Sequence, residues 1–404
     1  MVDRGLLDGL RVVEFGQIAA GPFAGSLLAD LGADVVKIER ADGGDGMRAW
    51  PPLTENDAGD AFSENFASLN RNKRSVALDL KSEAGQAHAR SLCERADVVL
   101  ENYRPGVMER LGLGHETLAE LNPRLVFCSI SGYGQRGPSA GKGAFDVTVQ
   151  AMSGIMSVTG EPDSGPVKCG VPVGDFCAGL YAGYTILAAL RRREQSGEGA
   201  FIDCSMVGSL LGISALQTSE FFGTGQPAQR LGSAHPRNAP YQAFRARDTH
   251  FVVAAGNDKL WRSVCQIVER PALAEDARFE TQALRAANQE TLAAELQPVF
   301  ETRNAAHWLS ELEAEGVPCS PINSFREVFD DAHVQSMGIV RDLTLPNGAR
   351  THTTGFPIAI SGFDFDIARQ PPKLGEHNDE VLAEWSGASS VNGERQASGT
   401  GGAG

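Results

Sequence analysis

Residues 11–39 read RVVEFGQIAAGPFAGSLLADLGADVVKIE, and this stretch decides the fold. Residues 11–15 and 34–39 are short and rich in valine and isoleucine, whereas residues 23–31 are rich in alanine and leucine. The alternation predicts a strand, a helix that ends near Gly32 and a second strand. Such a unit indicates a parallel sheet with helices on its faces, because two parallel strands need a crossover connection between them.

The same alternation continues along the chain, so the fold class is α/β. Further helices are predicted over residues 83–95, 116–121 and 177–193, further strands over 97–100, 125–130, 201–205 and 251–255, and mostly helix over 257–315. A Gly/Pro/Gln-rich stretch and a Gly/Ser/Ala-rich end mark the predicted boundaries. We predict five segments. They are the N-terminal part of a large domain over 1–221, a linker over 222–240, a small domain over 241–320, a return segment over 321–385 that completes the large domain, and a disordered tail over 386–404.

Composition and charge exclude several classes of function. The chain has 404 residues and a formal net charge of −15, which argues against chain-wide binding to nucleic acid or to an anionic membrane. It has no signal-peptide pattern and no uncharged apolar run of ~18 residues. Seven scattered cysteines without a CxxC pair favour reduced thiols over disulfides or zinc. We therefore expect a cytoplasmic protein without a bound metal, a nucleic-acid partner or a membrane partner.

Two glycine-rich stretches follow predicted strands. Residues 132–137 match the pattern GxGxxG, but Pro138 comes next, so no helix begins where a pyrophosphate would need one. We predict a plain loop there. Residues 16–25 follow the first strand, at the end of the sheet where α/β proteins bind ligands. Two interpretations stay open for that stretch, a tight turn and a ligand crevice.

Three further polar residues have both a structural and a functional interpretation. Asp175 precedes the helix predicted over 177–193, which indicates a helix N-cap. The helix N-terminus would also keep its carboxylate ionised and usable as a nucleophile. His235 and Arg237 lie in the predicted linker, where such residues are usually solvated, although an arginine also binds carboxylates with two hydrogen bonds. We interpret His377 as structural.

Several of these segments together are typical of one family. In chain order they read Gly21-Pro22, the run Leu28 to Glu39, Asn72-Lys73-Arg74-Ser75, Glu101-Asn102-Tyr103-Arg104-Pro105-Gly106, Ser129-Ile130-Ser131-Gly132-Tyr133-Gly134, Gly170-Val171-Pro172-Val173-Gly174-Asp175, and Leu374-Gly375-Glu376-His377. Each is weak alone, but in this order they cover most of the chain. The chain resembles the class III CoA-transferase family, also called CaiB/BaiF.

This resemblance implies a fold and an activity. The fold would be a large Rossmann-like parallel-sheet domain with a smaller domain, in an interlocked homodimer of ring-like chains. The enzyme would move CoA between carboxylic acids through Asp175, with CoA thioesters as substrate and product and no prosthetic group. Asp146, His235 and Arg237 would lie near the acyl substrate. The implied CoA contacts are Ala19, Ala20, Arg40, Leu78, Lys81, Asn102, Tyr103, Arg104, Arg110, Lys142 and Phe145.

Differences between this chain and other members of the superfamily bear on which reaction and which substrate we expect. Acyl-CoA racemases carry a histidine where this chain has Phe145, and phenylalanine cannot carry a proton. A 2-methylacyl-CoA racemase and a non-catalytic CoA-binding subunit are the alternatives to a transferase, and a nucleotide-dependent oxidoreductase is disfavoured by the failed GxGxxG match. Residues 231–237 lack the glycine tract of formyl-CoA:oxalate transferases, which puts oxalate in doubt. We expect a donor such as succinyl-CoA and a dicarboxylate acceptor.

Overall fold

The computed structural model describes residues 5–385, so the predicted disordered tail over 386–404 lies outside the described residues. The strands are β1 Arg11–Glu14, β2 Asp34–Arg40, β3 Leu53–Glu55, β4 Ala61–Ser63, β5 Lys73–Leu78, β6 Val98–Glu101, β7 Val126–Ser131, β8 Ala200–Ser205, β9 Tyr241–Arg245, β10 His250–Ala254, β11 Cys319–Pro321, β12 Val340–Thr344 and β13 Arg350–Thr354. The helices are α1 Ala20–Asp30, α2 Glu64–Asn70, α3 Glu83–Glu94, α4 Val107–Arg110, α5 His115–Leu121, α6 Asp146–Met152, α7 Ile155–Val158, α8 Val173–Ser196, α9 Met206–Ile213, α10 Ala215–Thr224, α11 Asp258–Ile267, α12 Gln282–Ala287, α13 Gln289–Phe300, α14 Ala305–Ala314, α15 Phe325–Asp330, α16 Ala332–Ser336 and α17 Asn378–Trp385.

The described residues form two compact units. The first holds residues 5–153, 170–215 and 338–385, and the second holds 154–169 and 216–337. The second unit therefore takes in the predicted linker, the stretches 216–221 and 321–337, which the prediction placed in the large domain, and likewise 154–169. Hydrogen bonds explain this boundary, because Gly232 N donates to Gly160 O and the Arg230 guanidinium donates to Ser164 O.

A six-stranded parallel sheet is the centre of the first unit. Its order is β5-β2-β1-β6-β7-β8, in which each neighbouring pair is parallel. The order reverses between β1 and β6, as in Rossmann-type sheets, where the crevice at the reversal binds ligands. The predicted α/β class and the βαβ start are confirmed. The loop after β7 is followed by no helix until Asp146, so the expectation of a plain loop at 132–137 is confirmed as well.

Helix α8 packs closely against α1 in the first unit. A Cβ added at Gly179 would lie 2.7 Å from Phe23 Cδ1 and 3.1 Å from the Ala20 carbonyl oxygen, so only glycine allows this approach. α8 is also the one described helix long and apolar enough to cross a membrane by composition. Helices that pack inside a protein core often have the same composition, and the close packing of α8 on α1 at Gly179 is typical of such a helix.

The second unit has its own sheet and core. β9, β10 and β11 form an antiparallel sheet in the order β11-β10-β9, and the predicted helical region appears as α11 to α14. The core contains the buried Trp261, Phe300 and Trp308. The buried Arg285 guanidinium donates to the carbonyl oxygens of Ala239 and Phe279 and pairs with Asp258 at 2.7 Å.

Candidate active site

A cavity of about 340 Å³ opens at the carboxyl ends of β1, β6 and β7 in the first unit. This is the point where the strand order reverses, which is where open parallel sheets bind their ligands. The predicted site residues that line it are Ala19, Ala20, Asn102, Tyr103, Arg104, Lys142, Phe145, Asp146 and Asp175. Residues separated by as much as 156 positions, from Ala19 to Asp175, therefore meet at one edge of the sheet.

Asp175 does not cap its helix. It is the third residue of α8, whose N-cap is Pro172, and the prediction of an Asp175 N-cap was wrong. The helix begins four residues before the predicted start, because Val173 and Gly174 continue into it. The backbone N–H of Gly174 donates to Asp146 Oδ1 at 2.8 Å, so the neighbouring helix α6 supplies the carboxylate at this N-terminus.

The pKa of Asp175 is raised from 3.8 to about 7. Burial is the main cause, and the nearby negative charge of Asp146 adds to it. Both effects disfavour the carboxylate form. The expectation that the helix N-terminus keeps Asp175 ionised is therefore corrected, because Asp146 occupies the Gly174 N–H and opposes a second negative charge. A carboxyl with a pKa near neutral pH is typical of functional sites.

Gly174 allows α6 to approach α8 beside the Asp175 carboxyl. A Cβ at this position would lie 2.8 Å from Val149 Cγ2 and 3.0 Å from Asp146 Oδ1. Asp146 is held from its other side by Gln150, whose Nε2 donates to Asp146 Oδ2 at 2.6 Å. The position of Asp146 relative to Asp175 is thus set by hydrogen bonds at both of its carboxylate oxygens.

Gln17 also lines the first cavity, although it was predicted only as part of the stretch 16–25. Its backbone N–H donates to Asn102 Oδ1 at 2.8 Å, and Asn102 Nδ2 returns a bond to its carbonyl oxygen at 2.9 Å. Gln17 Nε2 lies 3.3 Å from the Tyr103 hydroxyl. These bonds join the loops after β1 and β6. The available signal was its place immediately after the first strand, because that end of a parallel sheet binds ligands.

A second cavity of about 440 Å³ lies on the other side of Gln17 and Tyr103, which line both cavities. It is lined by two exposed cations, Arg40 and Lys81, by the carboxylates of Asp42 and Asp79, and by apolar side chains. A CoA molecule has an apolar pantetheine arm and anionic phosphates, and arginine and lysine bind phosphate. The predicted CoA residues in this cavity are Arg40, Leu78, Lys81 and Tyr103.

The remaining predicted residues lie in different places. Arg104 packs over Gly143 in the loop that carries Lys142, since a Cβ on Gly143 would collide with its guanidinium. Phe145 is 76% exposed at the rim of the first cavity. Arg110 ends α4 and lines neither cavity. Ser131 and Met206 also line the first cavity and were not among the predicted site residues.

His235 and Arg237 belong to the second unit. The backbone N–H of Arg237 donates to His235 Nδ1 at 3.1 Å, and the Arg237 guanidinium pairs with Glu220 at 3.2 Å. Burial, followed by the Arg237 charge, lowers the pKa of His235. The ion pair with Glu220 leaves Arg237 able to bind a different carboxylate, because surface ion pairs contribute little to the free energy of folding. Their contact with the acyl substrate stays a prediction.

Comparisons with known proteins agree on one family. The model of CoA-transferase family III matches residues 7–378. A succinate–glutarate CoA-transferase of Agrobacterium fabrum is 41% identical over 94% of this chain and 95% of its own, and an acetyl-CoA:oxalate CoA-transferase of Acetobacter aceti is 39% identical over 95% and 96%. The crystal structure of a CaiB/BaiF family protein from Brucella suis superposes with a TM-score of 0.84 at 37% identity, covering 95% of this chain and all of that chain.

Proposed function

This chain belongs to CoA-transferase family III and is an enzyme of that class; from this premise we propose that it moves CoA from succinyl-CoA to a second dicarboxylate through Asp175. The observation that carries the proposal is a half-buried carboxyl with a pKa of about 7, in a cavity beside a second cavity that Arg40 and Lys81 line. The first cavity would hold the reacting acyl group, and the second would hold part of CoA.

The first half of the proposed reaction loads CoA onto the enzyme. An Asp175 carboxylate oxygen attacks the thioester carbonyl of succinyl-CoA, which gives a succinyl–aspartyl anhydride and the CoA thiolate. The thiolate then attacks the aspartyl carbonyl carbon, which releases succinate with one Asp175 oxygen and leaves an aspartyl-CoA thioester. Each step exchanges one activated acyl bond for another, so the thioester's free energy is retained in a covalent intermediate.

The second half of the reaction reverses these steps with the acceptor. The acceptor carboxylate attacks the aspartyl thioester, which releases the CoA thiolate and forms an acceptor–aspartyl anhydride. The thiolate attacks the acceptor's carbonyl carbon, which gives the new acyl-CoA and restores the Asp175 carboxylate. Water would hydrolyse either anhydride, so the partial burial of Asp175 supports the scheme by limiting the access of water.

Two cations support a dicarboxylate acceptor. Arg104 and Lys142 line the same cavity as Asp175, and both can pair with a carboxylate that does not react. The names of the two curated relatives also refer to dicarboxylate acceptors, glutarate in one case and oxalate in the other. We favour glutarate over oxalate as the acceptor, because residues 231–237 lack the glycine tract of formyl-CoA:oxalate transferases.

A screen of acceptors with succinyl-CoA tests the proposed function. We expect glutarate to give glutaryl-CoA, and pentanoate, its match in length without the second carboxylate, to show a kcat/KM lower by roughly 10- to 100-fold. This estimate follows because a hydrogen bond to a charged group contributes about 1.5–3 kcal/mol. Oxalate and mesaconate complete the series. Equal use of pentanoate, or release of CoA without any acceptor, would overturn the proposal.

The racemase alternative is tested in the same preparation. A 2-methylacyl-CoA in D2O is expected to gain no α-deuterium, since Phe145 offers no proton at the rim of the cavity. Rapid exchange without an acceptor acid would favour the racemase instead.

The pH dependence of kcat/KM for succinyl-CoA should report the ionisation of Asp175. Only the carboxylate attacks, so kcat/KM is expected to fall tenfold per pH unit below a midpoint of about 7. Asp146→Asn removes a negative charge but keeps an oxygen for the Gly174 N–H, so the midpoint should move to lower pH. Asp57→Asn, which removes an exposed carboxylate from the turn between β3 and β4, is the matched control. An unchanged midpoint in Asp146→Asn would contradict this assignment.

We also propose the homodimer and the cytoplasmic location that the family resemblance implies. Several apolar side chains on α8 and α9 are exposed in the single chain, among them Leu180, Tyr184, Leu211 and Ile213. Exposed apolar side chains of this number support their coverage by a second copy. A molar mass of one chain by light scattering would contradict the dimer.

A further inference from the structure

Four ionic side chains lie buried beneath the loop that joins β1 to α1. Glu14, Lys37 and Lys73 have no exposed surface, and Asp45 is 2% exposed. The Lys37 ammonium lies 3.1 Å from Glu14 Oε1 and 3.0 Å from Asp45 Oδ2, and the Lys73 ammonium lies 2.7 Å from Glu14 Oε2. We refer to these four residues as the buried ionic cluster.

The buried ionic cluster holds three backbone groups of the stretch from Gly16 to Pro22. Lys37 Nζ donates to the Gly16 carbonyl oxygen at 2.6 Å, and Lys73 Nζ donates to the Pro22 carbonyl oxygen at 2.7 Å. Between them, the Ile18 N–H donates to both Asp45 carboxylate oxygens, at 3.1 and 3.2 Å. The loop is therefore fixed at its start, in its middle and in the first turn of α1.

The middle contact lies at a strained residue. Ile18 has φ +63°, a left-handed conformation that is costly for a β-branched residue. Such a conformation persists only where the surrounding structure enforces it, and here the Asp45 carboxylate does so by binding the Ile18 N–H. The turn places Ile18, Ala19 and Ala20 in the lining of the cavity that contains Asp175.

Stability alone does not account for the cluster. Replacing a buried ion pair by apolar residues of similar volume is often neutral or stabilising, because the desolvation of two charges is expensive. The charged Glu14 side chain also restricts helix α1 to a glycine at position 25, because a Cβ at Gly25 would collide with Glu14 Oε2. A role in setting the loop's conformation explains why charges are kept where apolar side chains would fit.

We propose that Asp45 and Lys37 are positioning residues for the transfer reaction, which hold the backbone from Ile18 to Ala20 in the conformation that receives the acyl-CoA at Asp175. This inference rests on the proposed function. Asp45 binds and shapes the loop and does not line the cavity itself, so it acts through the loop. Its charge is retained because, although burial opposes ionisation, Lys37 and the N–H groups of Met47 and Ile18 hold the pKa of Asp45 below its ordinary value.

Asp45→Asn, compared with Asp30→Asn, separates positioning from stability. Asp30 is equally buried and pairs with Arg71 at 2.6 Å, but it lies at the far end of α1 from the loop. Asp45→Asn should lower Tm, because it removes the charge beside Lys37 and at the residue that caps Gly46–Ala49. Only Asp45→Asn should lower kcat/KM for succinyl-CoA, by roughly 100-fold, because small displacements of positioning groups cost about that much.

A second variant and a second readout keep the test decisive. Asp45→Glu retains a charge beside Lys37 but moves the carboxylate away from the Ile18 N–H, so it should fold and still lose kcat/KM. Rapid quenching would follow the formation of the Asp175 adduct, which should be slowed in the Asp45 variants and normal in Asp30→Asn. Normal adduct formation in both Asp45 variants, or equal slowing in Asp30→Asn, overturns the inference. Absence of the adduct in the wild-type enzyme would instead reject the proposed function.

Discussion

Asp175→Asn is expected to lower kcat for CoA transfer by roughly 10⁴- to 10⁶-fold, the range of losses when a single member of a protease catalytic triad is removed. Asparagine has nearly the same shape as aspartate, so the cavity and helix α8 should be unchanged, while the amide cannot form the anhydride. The measurement is the rate of glutaryl-CoA formation from succinyl-CoA and glutarate. Asp57→Asn, on an exposed carboxylate between β3 and β4, serves as the control.

The same substitution should stabilise the folded chain at pH 8. The pKa of Asp175 is raised from 3.8 to about 7 on folding, so the folded state binds the proton more tightly than the unfolded state does. The resulting stabilisation is present below pH 4 and is lost as the pH rises through about 7. Above that pH the buried charge costs stability, and asparagine removes it. A raised Tm together with lost transfer would fit a functional carboxylate, whereas retained transfer would reject Asp175 as the nucleophile.

Lys37→Met is expected to lower the free energy of unfolding by about 3–5 kcal/mol, because it leaves a buried carboxylate without its cation. Glu14 keeps Lys73 at 2.7 Å, but Asp45 retains only hydrogen bonds from backbone N–H groups and loses its ammonium partner. Burial alone would lower the pKa of Lys37, but the carboxylates of Glu14, Asp45 and Glu39 raise it above its ordinary value, so the lysine is charged at neutral pH.

Urea unfolding at pH 7 measures this effect as a shift of the midpoint. Lys259→Met is the control, because Lys259 is an exposed lysine in the first turn of α11 and its loss should change stability by less than about 0.5 kcal/mol. A shift as small as that of the control would mean that the charge of Lys37 is not needed inside the fold.

The fold could be predicted where residues that are close in sequence decide it. The stretch 11–39 predicted β1, α1 and β2, and the largest error was the start of α1, which begins at Ala20 and includes Gly21 and Pro22, ahead of the predicted start at Phe23. Proline is acceptable in the first turn of a helix, where no intrahelical bond to its nitrogen is needed. The same kind of error hid the beginning of α8 and led to the wrong assignment of Asp175 as a cap.

The site could be predicted only in part, because its geometry depends on contacts between distant segments. The motif indicated Asp175, but its raised pKa follows from burial and from Asp146, which reaches Gly174 from 28 positions earlier in the chain. The buried ionic cluster was also not predictable. Lys37 and Lys73 look like solvent-facing residues within strands, and only the parallel pairing of β2 with β1 and β5 brings them to Glu14.

Oxygen-18 transfer tests the central claim most directly. The enzyme is turned over with succinyl-CoA and glutarate labelled in its carboxylates, digested, and its peptides are analysed by mass spectrometry. The proposed scheme predicts that oxygen-18 enters the carboxyl of Asp175, because the acceptor–aspartyl anhydride leaves its bridging oxygen on the enzyme. Formation of glutaryl-CoA with an unlabelled Asp175, or with label on a different side chain, would contradict it.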